Sequence, residues 1–83
     1  MSVLHQLVSD IELEEWIVDD VRRHIGCRHF TTSVTFARLH SAYSSGATWE
    51  IDTVTARSAW STPCREAFDI AVRAAQRAFD LTD

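Results

Sequence analysis

Residues 30–37 read FTTSVTFA, and residues 48–55 read TWEIDTVT. Both stretches alternate apolar with polar residues and are rich in β-branched side chains, which is the pattern of a strand with one buried face. Residues 43–47 between them form a cluster of turn-forming types. We therefore predict an antiparallel hairpin with one core face. Val54 falls out of the alternation, which indicates a β-bulge or the end of pairing at that point.

A helix is predicted on the N-terminal side of the hairpin, over residues 10–25. Ser9 and Glu12 fit a capping box, in which each side chain bonds to a backbone N–H that the first turn leaves unpaired. Gly26 suits the position just after a helix because glycine readily adopts the left-handed conformation found there. The apolar stripe that this helix would turn to the core consists of Leu13, Ile17, Val21 and Ile25.

A second helix is predicted over residues 63–81, close to the C-terminus. Thr62 is the expected N-cap and Pro63 the first helical residue. Apolar residues fill more than half of the circumference of this helix, which is more than one sheet face needs. We therefore expect it to contact two neighbouring elements.

The order of these elements predicts a small α+β fold of two layers, a single domain over residues 1–83 with the hairpin packed against both helices. Two strands alone make a marginal sheet. A third strand would come from residues 1–8, which also read as an extension of the first helix, from residues 56–60, or from a second chain in a homodimer. The residues predicted to form the core are Leu13, Ile17, Val21, Phe30, Val34, Phe36, Trp49, Ile51, Phe68, Val72, Ala75 and Phe79.

The acidic residues are concentrated at the N-terminus. The whole chain has 12 acidic and 8 basic residues and a net charge of −4. All eight basic residues lie after residue 20, whereas residues 1–20 contain Asp10, Glu12, Glu14, Glu15, Asp19 and Asp20. An acidic segment of this kind repels nucleic acid and attracts basic surfaces. No apolar run is long enough for a transmembrane segment.

The two cysteines are too few for a disulfide scaffold, so we expect free thiols and a cytoplasmic location. A disulfide between Cys27 and Cys64 is the alternative that the sequence leaves open. Histidine and cysteine side chains are common zinc ligands, and the chain has a group of them at His24, Cys27 and His29. A fourth ligand would have to come from His40 or Cys64, which lie further along the sequence. Structural zinc sites usually show a second closely spaced ligand pair, which this chain lacks. We therefore predict neither a metal nor another cofactor.

No catalytic activity is predicted. Arg28 and His29 next to Cys27 would lower the pKa of that thiol and favour its reactive thiolate. Nucleophilic catalysis also needs a third group to orient the histidine and donors to stabilise an oxyanion, and no residues for these roles are evident.

The predicted partner-binding residues lie on the solvent-facing side of the first helix and are Glu12, Glu15, Trp16, Asp19 and Asp20. Trp16 lies to one side of the apolar stripe, with carboxylates as its helical neighbours. A tryptophan surrounded by acidic residues is typical of an interface anchor with a polar rim. The alternative is that Trp16 packs onto a loop or a strand edge at the margin of the core.

In its size, its charge and its lack of a catalytic set, the chain resembles small phage-encoded antagonists of host defence, anti-CRISPR proteins among them. This resemblance implies a non-enzymatic inhibitor that acts in the host cytoplasm. Such a protein binds a basic surface of a nucleic-acid-binding complex and blocks DNA or RNA. Two alternatives remain: an adaptor or antitoxin-like partner protein, and a small nucleic-acid-binding protein. The latter would use an arginine cluster and a base-stacking platform, formed by Arg22, Arg23, Arg28, Arg38, Arg57, Phe30, Phe36 and Trp49.

Overall fold

The computed structural model describes residues 5–39 and 48–82. Its elements in chain order are β1 (Gln6–Val8), α1 (Asp10–Arg22), β2 (Val34–Arg38), β3 (Trp49–Val54), a single 3₁₀ turn (Arg57–Ala59), α2 (Thr62–Ala78) and β4 (Phe79–Leu81). These elements confirm the predicted small α+β fold of two layers. The predicted turn over residues 43–47 lies outside the described residues, as does His40.

The hairpin strands β2 and β3 pair antiparallel, with Val34 opposite Val54 and Arg38 opposite Trp49. The register shifts between Thr35, which faces Thr53, and Phe36, which faces Ile51. Asp52 is therefore the extra residue of a β-bulge on β3. The bulge compensates for the break in alternation, so that both Ile51 and Val54 pack against the core.

Residues 6–8 form a strand, but not in the hairpin sheet. β1 pairs parallel with β4 in a second two-stranded sheet, with Gln6 opposite Phe79 and Val8 opposite Leu81. The prediction that the last helix extends to Leu81 is therefore wrong: α2 ends at Ala78, and the backbone of Phe79 is extended. Pairing with β1 satisfies the backbone groups of this segment and buries both Val8 and Leu81.

The capping box at the start of α1 is confirmed. The Ser9 hydroxyl accepts a hydrogen bond from the Glu12 N–H (3.2 Å), and the Glu12 carboxylate accepts one from the Ser9 N–H (3.0 Å). The helix ends at Arg22, three residues earlier than predicted. Ile25 is consequently fully exposed rather than part of the apolar stripe. The chain turns here through Gly26, whose φ of +86° favours glycine, and brings Cys27 into the core.

The start of α2 differs from the prediction by one residue. Ser61 is the N-cap, so that Thr62 is the first helical residue and Pro63 the second. α2 packs against α1 and β4, and the side-chain amide of Gln76 donates a hydrogen bond to the Trp49 carbonyl of β3 (3.0 Å). The expectation of more than one neighbour for this helix is confirmed.

One core cluster connects the two helices and both sheets. Most of the predicted core residues are buried, whereas Ile51, Val72 and Phe79 are half-buried at its margin. The core also contains residues that were not predicted, namely Val8, Val18, Ala67, Ala71 and Leu81. Within residues 5–39 and 48–82, neither helix has the length and apolar character needed to cross a membrane.

Candidate interaction site on the N-terminal helix

The five residues predicted to bind a partner occupy one face of α1. Glu12, Glu15, Trp16, Asp19 and Asp20 follow the spacing i, i+3, i+4, i+7 and i+8, which brings side chains together on a helix surface. We call these five residues the acidic face. Glu12, Glu15 and Asp19 are exposed, whereas Trp16 and Asp20 are half-buried.

Trp16 packs at the margin of the core, which was the alternative that the sequence left open. Its ring contacts that of Phe79 edge to face, with centroids 5.2 Å apart and ring planes at 72°. Beside this aromatic pair is an open groove of about 300 Å³, lined also by Gln6, Val8, Glu12 and Leu13. Trp16 and Glu12 thus belong to the same concave surface.

Glu12 brings a negative charge to this groove. Its pKa is lowered chiefly by the hydrogen bond from the backbone N–H of Ser9 and next by the Ser9 side chain. Only the Oε1 atom of Glu12 accepts the Ser9 N–H. The Glu12 side chain is exposed, so its carboxylate is accessible to a donor from another molecule.

Asp19 and Asp20 differ in exposure. The Asp19 side chain is 67% exposed and lies 3.7 Å from the Arg22 guanidinium, whereas the Asp20 side chain is 28% exposed and lies 3.9 Å from Arg23. The expectation that this side of α1 faces solvent therefore holds for Asp19 and not for Asp20. The two arginines also bring positive charge to the C-terminal end of the acidic face.

Two other acids of α1 are used within the fold. Asp10 forms an ion pair with Arg38, with the carboxylate oxygen 3.0 Å from the guanidinium nitrogen. The Glu14 carboxylate accepts a hydrogen bond from the Val34 N–H at the start of β2 (2.8 Å). No sequence pattern predicts these roles, because both partners come from a strand that is distant along the chain. The negative charge available for binding a partner is therefore smaller than the combined charge of all six N-terminal acids.

The arginines proposed for nucleic-acid binding do not form one cluster. Arg38 pairs with Asp10 at the start of α1, whereas Arg22 and Arg23 lie at its other end, about 18 Å away for a helix of this length. Arg57 donates to both oxygens of Asp69 (3.0 Å each).

The proposed stacking platform is not available for bases. All three aromatic residues are buried, with 8%, 8% and 0% of the residue surface exposed for Phe30, Phe36 and Trp49. These three residues contribute to the core of the fold.

The expectation of two free thiols is wrong. Cys27 and Cys64 are joined by a disulfide, with Cα atoms 5.8 Å apart, and both residues are buried. A disulfide sulfur is neither a nucleophile nor a zinc ligand until it is reduced. Among residues 5–39 and 48–82, no group of three or more His, Cys, Asp or Glu side chains is arranged to hold a metal ion.

Comparison with known proteins gives no relative from which a function could be transferred. No family model, no curated protein and no solved structure matches the chain.

Proposed function

We propose that this protein is a non-enzymatic interaction module whose acidic face binds a basic surface of a nucleic-acid-binding protein complex. By covering that surface, it prevents DNA or RNA from reaching it. This mode of action is that of a small phage-type inhibitor, similar to anti-CRISPR proteins. The free protein would not bind nucleic acid, because its acidic face repels phosphates.

The observation that carries the proposal is the groove beside Trp16. Its wall is aromatic, from Trp16 and Phe79, and the Glu12 carboxylate is part of its lining. A lysine or arginine side chain of the partner matches both features, because its stem packs on aromatic rings while its cationic group pairs with a carboxylate. Glu15 and Asp19 lie exposed on the same face of α1 and extend the negative charge beyond the groove.

The roles of these residues in binding differ. Trp16 supplies apolar contact area. In protein interfaces, a few such aromatic side chains contribute most of the affinity once water is excluded from them. Exposed carboxylates such as Glu15 and Asp19 mainly accelerate the encounter with an oppositely charged surface. Salt screens that attraction beyond about 8–10 Å. Association should therefore be faster at low ionic strength, while dissociation depends on Trp16.

The proposed site of action is the cytoplasm of the host cell. Cytoplasmic thiols are normally kept reduced, and Cys27 and Cys64 form a disulfide in this structure. The proposal therefore requires that the domain stays folded after this disulfide is reduced. Because both cysteines are buried in the core, the reduced side chains would still serve there as small apolar residues.

The test is a paired capture experiment in lysate of the native host. Tagged wild-type protein is compared with the variant Glu15→Arg/Asp19→Arg, and with Glu66→Arg, which reverses an exposed acid on α2. We expect the wild type and Glu66→Arg to capture the same nucleic-acid-binding complex and the double variant to lose it. Purified wild-type protein should then displace DNA or RNA from that complex in a mobility-shift assay.

Two results would contradict the proposal. One is a captured partner that binds no nucleic acid, which would favour the adaptor or antitoxin-like alternative. The other is direct binding of DNA or RNA by the free protein at physiological salt.

A further inference from the structure

A second concave surface lies between β3 and α2 and shares no residue with the groove beside Trp16. It is an open cleft of about 400 Å³, which is within the roughly 300–1,000 Å³ typical of small-molecule sites. Its apolar lining comes from Ile51 and Val54 of β3 and from Phe68 and Val72 of α2. Because Phe68 alone of these four is fully buried, the other three leave apolar surface open to the cleft.

Arg57 lines the same cleft and is held in a fixed position. Its Nη2 atom donates to both carboxylate oxygens of Asp69, at 3.0 Å each. Its Cζ atom lies 5.6 Å from the Trp60 ring centroid and 5.8 Å from that of Phe68. A guanidinium group has five N–H donors. Because Asp69 contacts Nη2 only, the donors on Nε and Nη1 are free of any partner in the described residues.

Arg73 is the second cation of the cleft. It is exposed, and no carboxylate of residues 5–39 and 48–82 lies within 4 Å of its guanidinium group. Asp69, the one acid in the lining, already has both oxygens bound by Arg57. The lining therefore carries one net positive charge and more hydrogen-bond donors than acceptors.

We propose that this cleft binds a small amphiphilic carboxylate, such as a medium-chain fatty acid. The apolar tail lies on Ile51, Val54 and Val72. The carboxylate is bound by Arg73 and by the free donors of Arg57. Guanidinium groups are well suited to this role because their planar N–H pairs match the two oxygens of a carboxylate. A ligand with the same apolar tail but no charge would leave these donors unused. A short anion without the tail would leave the apolar lining in contact with water.

The test is a titration of the ¹⁵N-labelled protein with octanoate below its micellar concentration, followed by NMR. We expect saturable chemical-shift changes at amides of β3 and α2 with one molecule bound per chain. Octanol, which lacks the charge, and acetate, which lacks the tail, should each bind at least tenfold more weakly. This comparison uses the wild-type chain and so does not depend on any variant being folded.

The matched variants are Arg73→Gln and Arg77→Gln. Arg77 lies one turn further along α2 and does not line the cleft. Arg73→Gln should weaken octanoate binding at least tenfold, whereas Arg77→Gln should leave it unchanged. The proposal is overturned if octanol binds as tightly as octanoate, if Arg73→Gln keeps wild-type affinity, or if the shifts are non-saturable and spread over the whole chain. None of these results bears on the acidic face.

Discussion

Trp16 and Phe79 form an edge-to-face pair with ring centroids 5.2 Å apart, which joins the acidic face of α1 to the last strand. The backbone carbonyl of Phe79 in turn accepts a hydrogen bond from the indole N–H of the buried Trp49 (3.0 Å). A partner that contacts Trp16 therefore binds a side chain that core residues already support. Such support lowers the entropy lost on binding, because the anchor is already ordered.

The first prediction concerns Trp16 itself. Trp16→Ala should lower the free energy of unfolding by about 2 kcal/mol, which is less than the roughly 3–5 kcal/mol for a fully buried aromatic residue because Trp16 is half-buried. Urea denaturation measures this change. Ile11→Ala is the control, since Ile11 lies on the same helix and is 72% exposed. Equal stability of Trp16→Ala and the wild type would show that the Trp16–Phe79 contact does not form in solution.

The second prediction concerns the core. Phe68 is 2% exposed, and its ring centroid lies 5.0 Å from that of Trp60 and 6.3 Å from that of Phe30. Phe68→Ala should reduce the free energy of unfolding by about 3–5 kcal/mol and lower the melting temperature. Ile70→Ala, on the exposed side of the same helix, should change it little. A wild-type melting temperature for Phe68→Ala would be incompatible with this core.

The third prediction concerns the disulfide. Cys27 and Cys64 are 37 residues apart in the sequence, and closing a loop of this length stabilises a fold by about 4 kcal/mol in the chain-entropy model. Reduction should therefore lower the melting temperature. The variant Cys27→Ala/Cys64→Ala should melt at lower temperature than the oxidised wild type and should not respond to reductant. Two reactive thiols in the denatured, unreduced protein would instead show that the disulfide does not form.

The fourth prediction concerns pH. The pKa of Asp80 is lowered, chiefly by the hydrogen bond from the Thr48 hydroxyl (2.7 Å) and next by that with His5 (3.0 Å). A carboxylate whose pKa is lower in the folded state stabilises the fold at neutral pH. This stabilisation is lost as the pH falls below about 4, the ordinary value for an aspartate.

Chemical denaturation between pH 7 and pH 2 tests the role of Asp80. Asp80→Asn should be less stable than the wild type at pH 7, and the difference should shrink as the solution is acidified. Thr48→Val should have the same effect to a smaller extent, because it removes the hydroxyl and leaves His5. A difference between Asp80→Asn and wild type that stays constant with pH would contradict this assignment.

The features that the sequence predicts correctly are local ones. The capping box of Ser9 and Glu12 involves residues three apart, and the amphipathic pattern of α1 places Leu13, Ile17 and Val21 in the core. The bulge in β3 was indicated by a single break in alternation at Val54. In each case the interaction is set by neighbours along the chain, so the sequence pattern contains it.

The predictions that were wrong, or that left alternatives open, concern contacts between residues that are far apart in the sequence. Phe79–Leu81 has the apolar spacing of a helix, and only pairing with β1 at the other end of the chain makes it a strand. The two cysteines show no motif, and their bond follows from the packing of the loop after α1 against the start of α2. Helical spacing predicts that the five residues of the acidic face share one side of α1, as they do in the structure, and their role in binding stays a prediction. The sequence does not predict the groove beside Trp16, because Phe79, which forms one wall of it, has the spacing of a helix and lies in a strand.

The most direct test of the central claim is the dissociation constant of the complex between this protein and its purified partner, measured at physiological salt. Three chains are compared: the wild type, Glu15→Arg/Asp19→Arg, and the control Glu66→Arg, with circular dichroism to show that each is folded. We predict that the double variant binds at least tenfold more weakly while the control matches the wild type. Equal dissociation constants for all three chains would contradict a binding role for the acidic face.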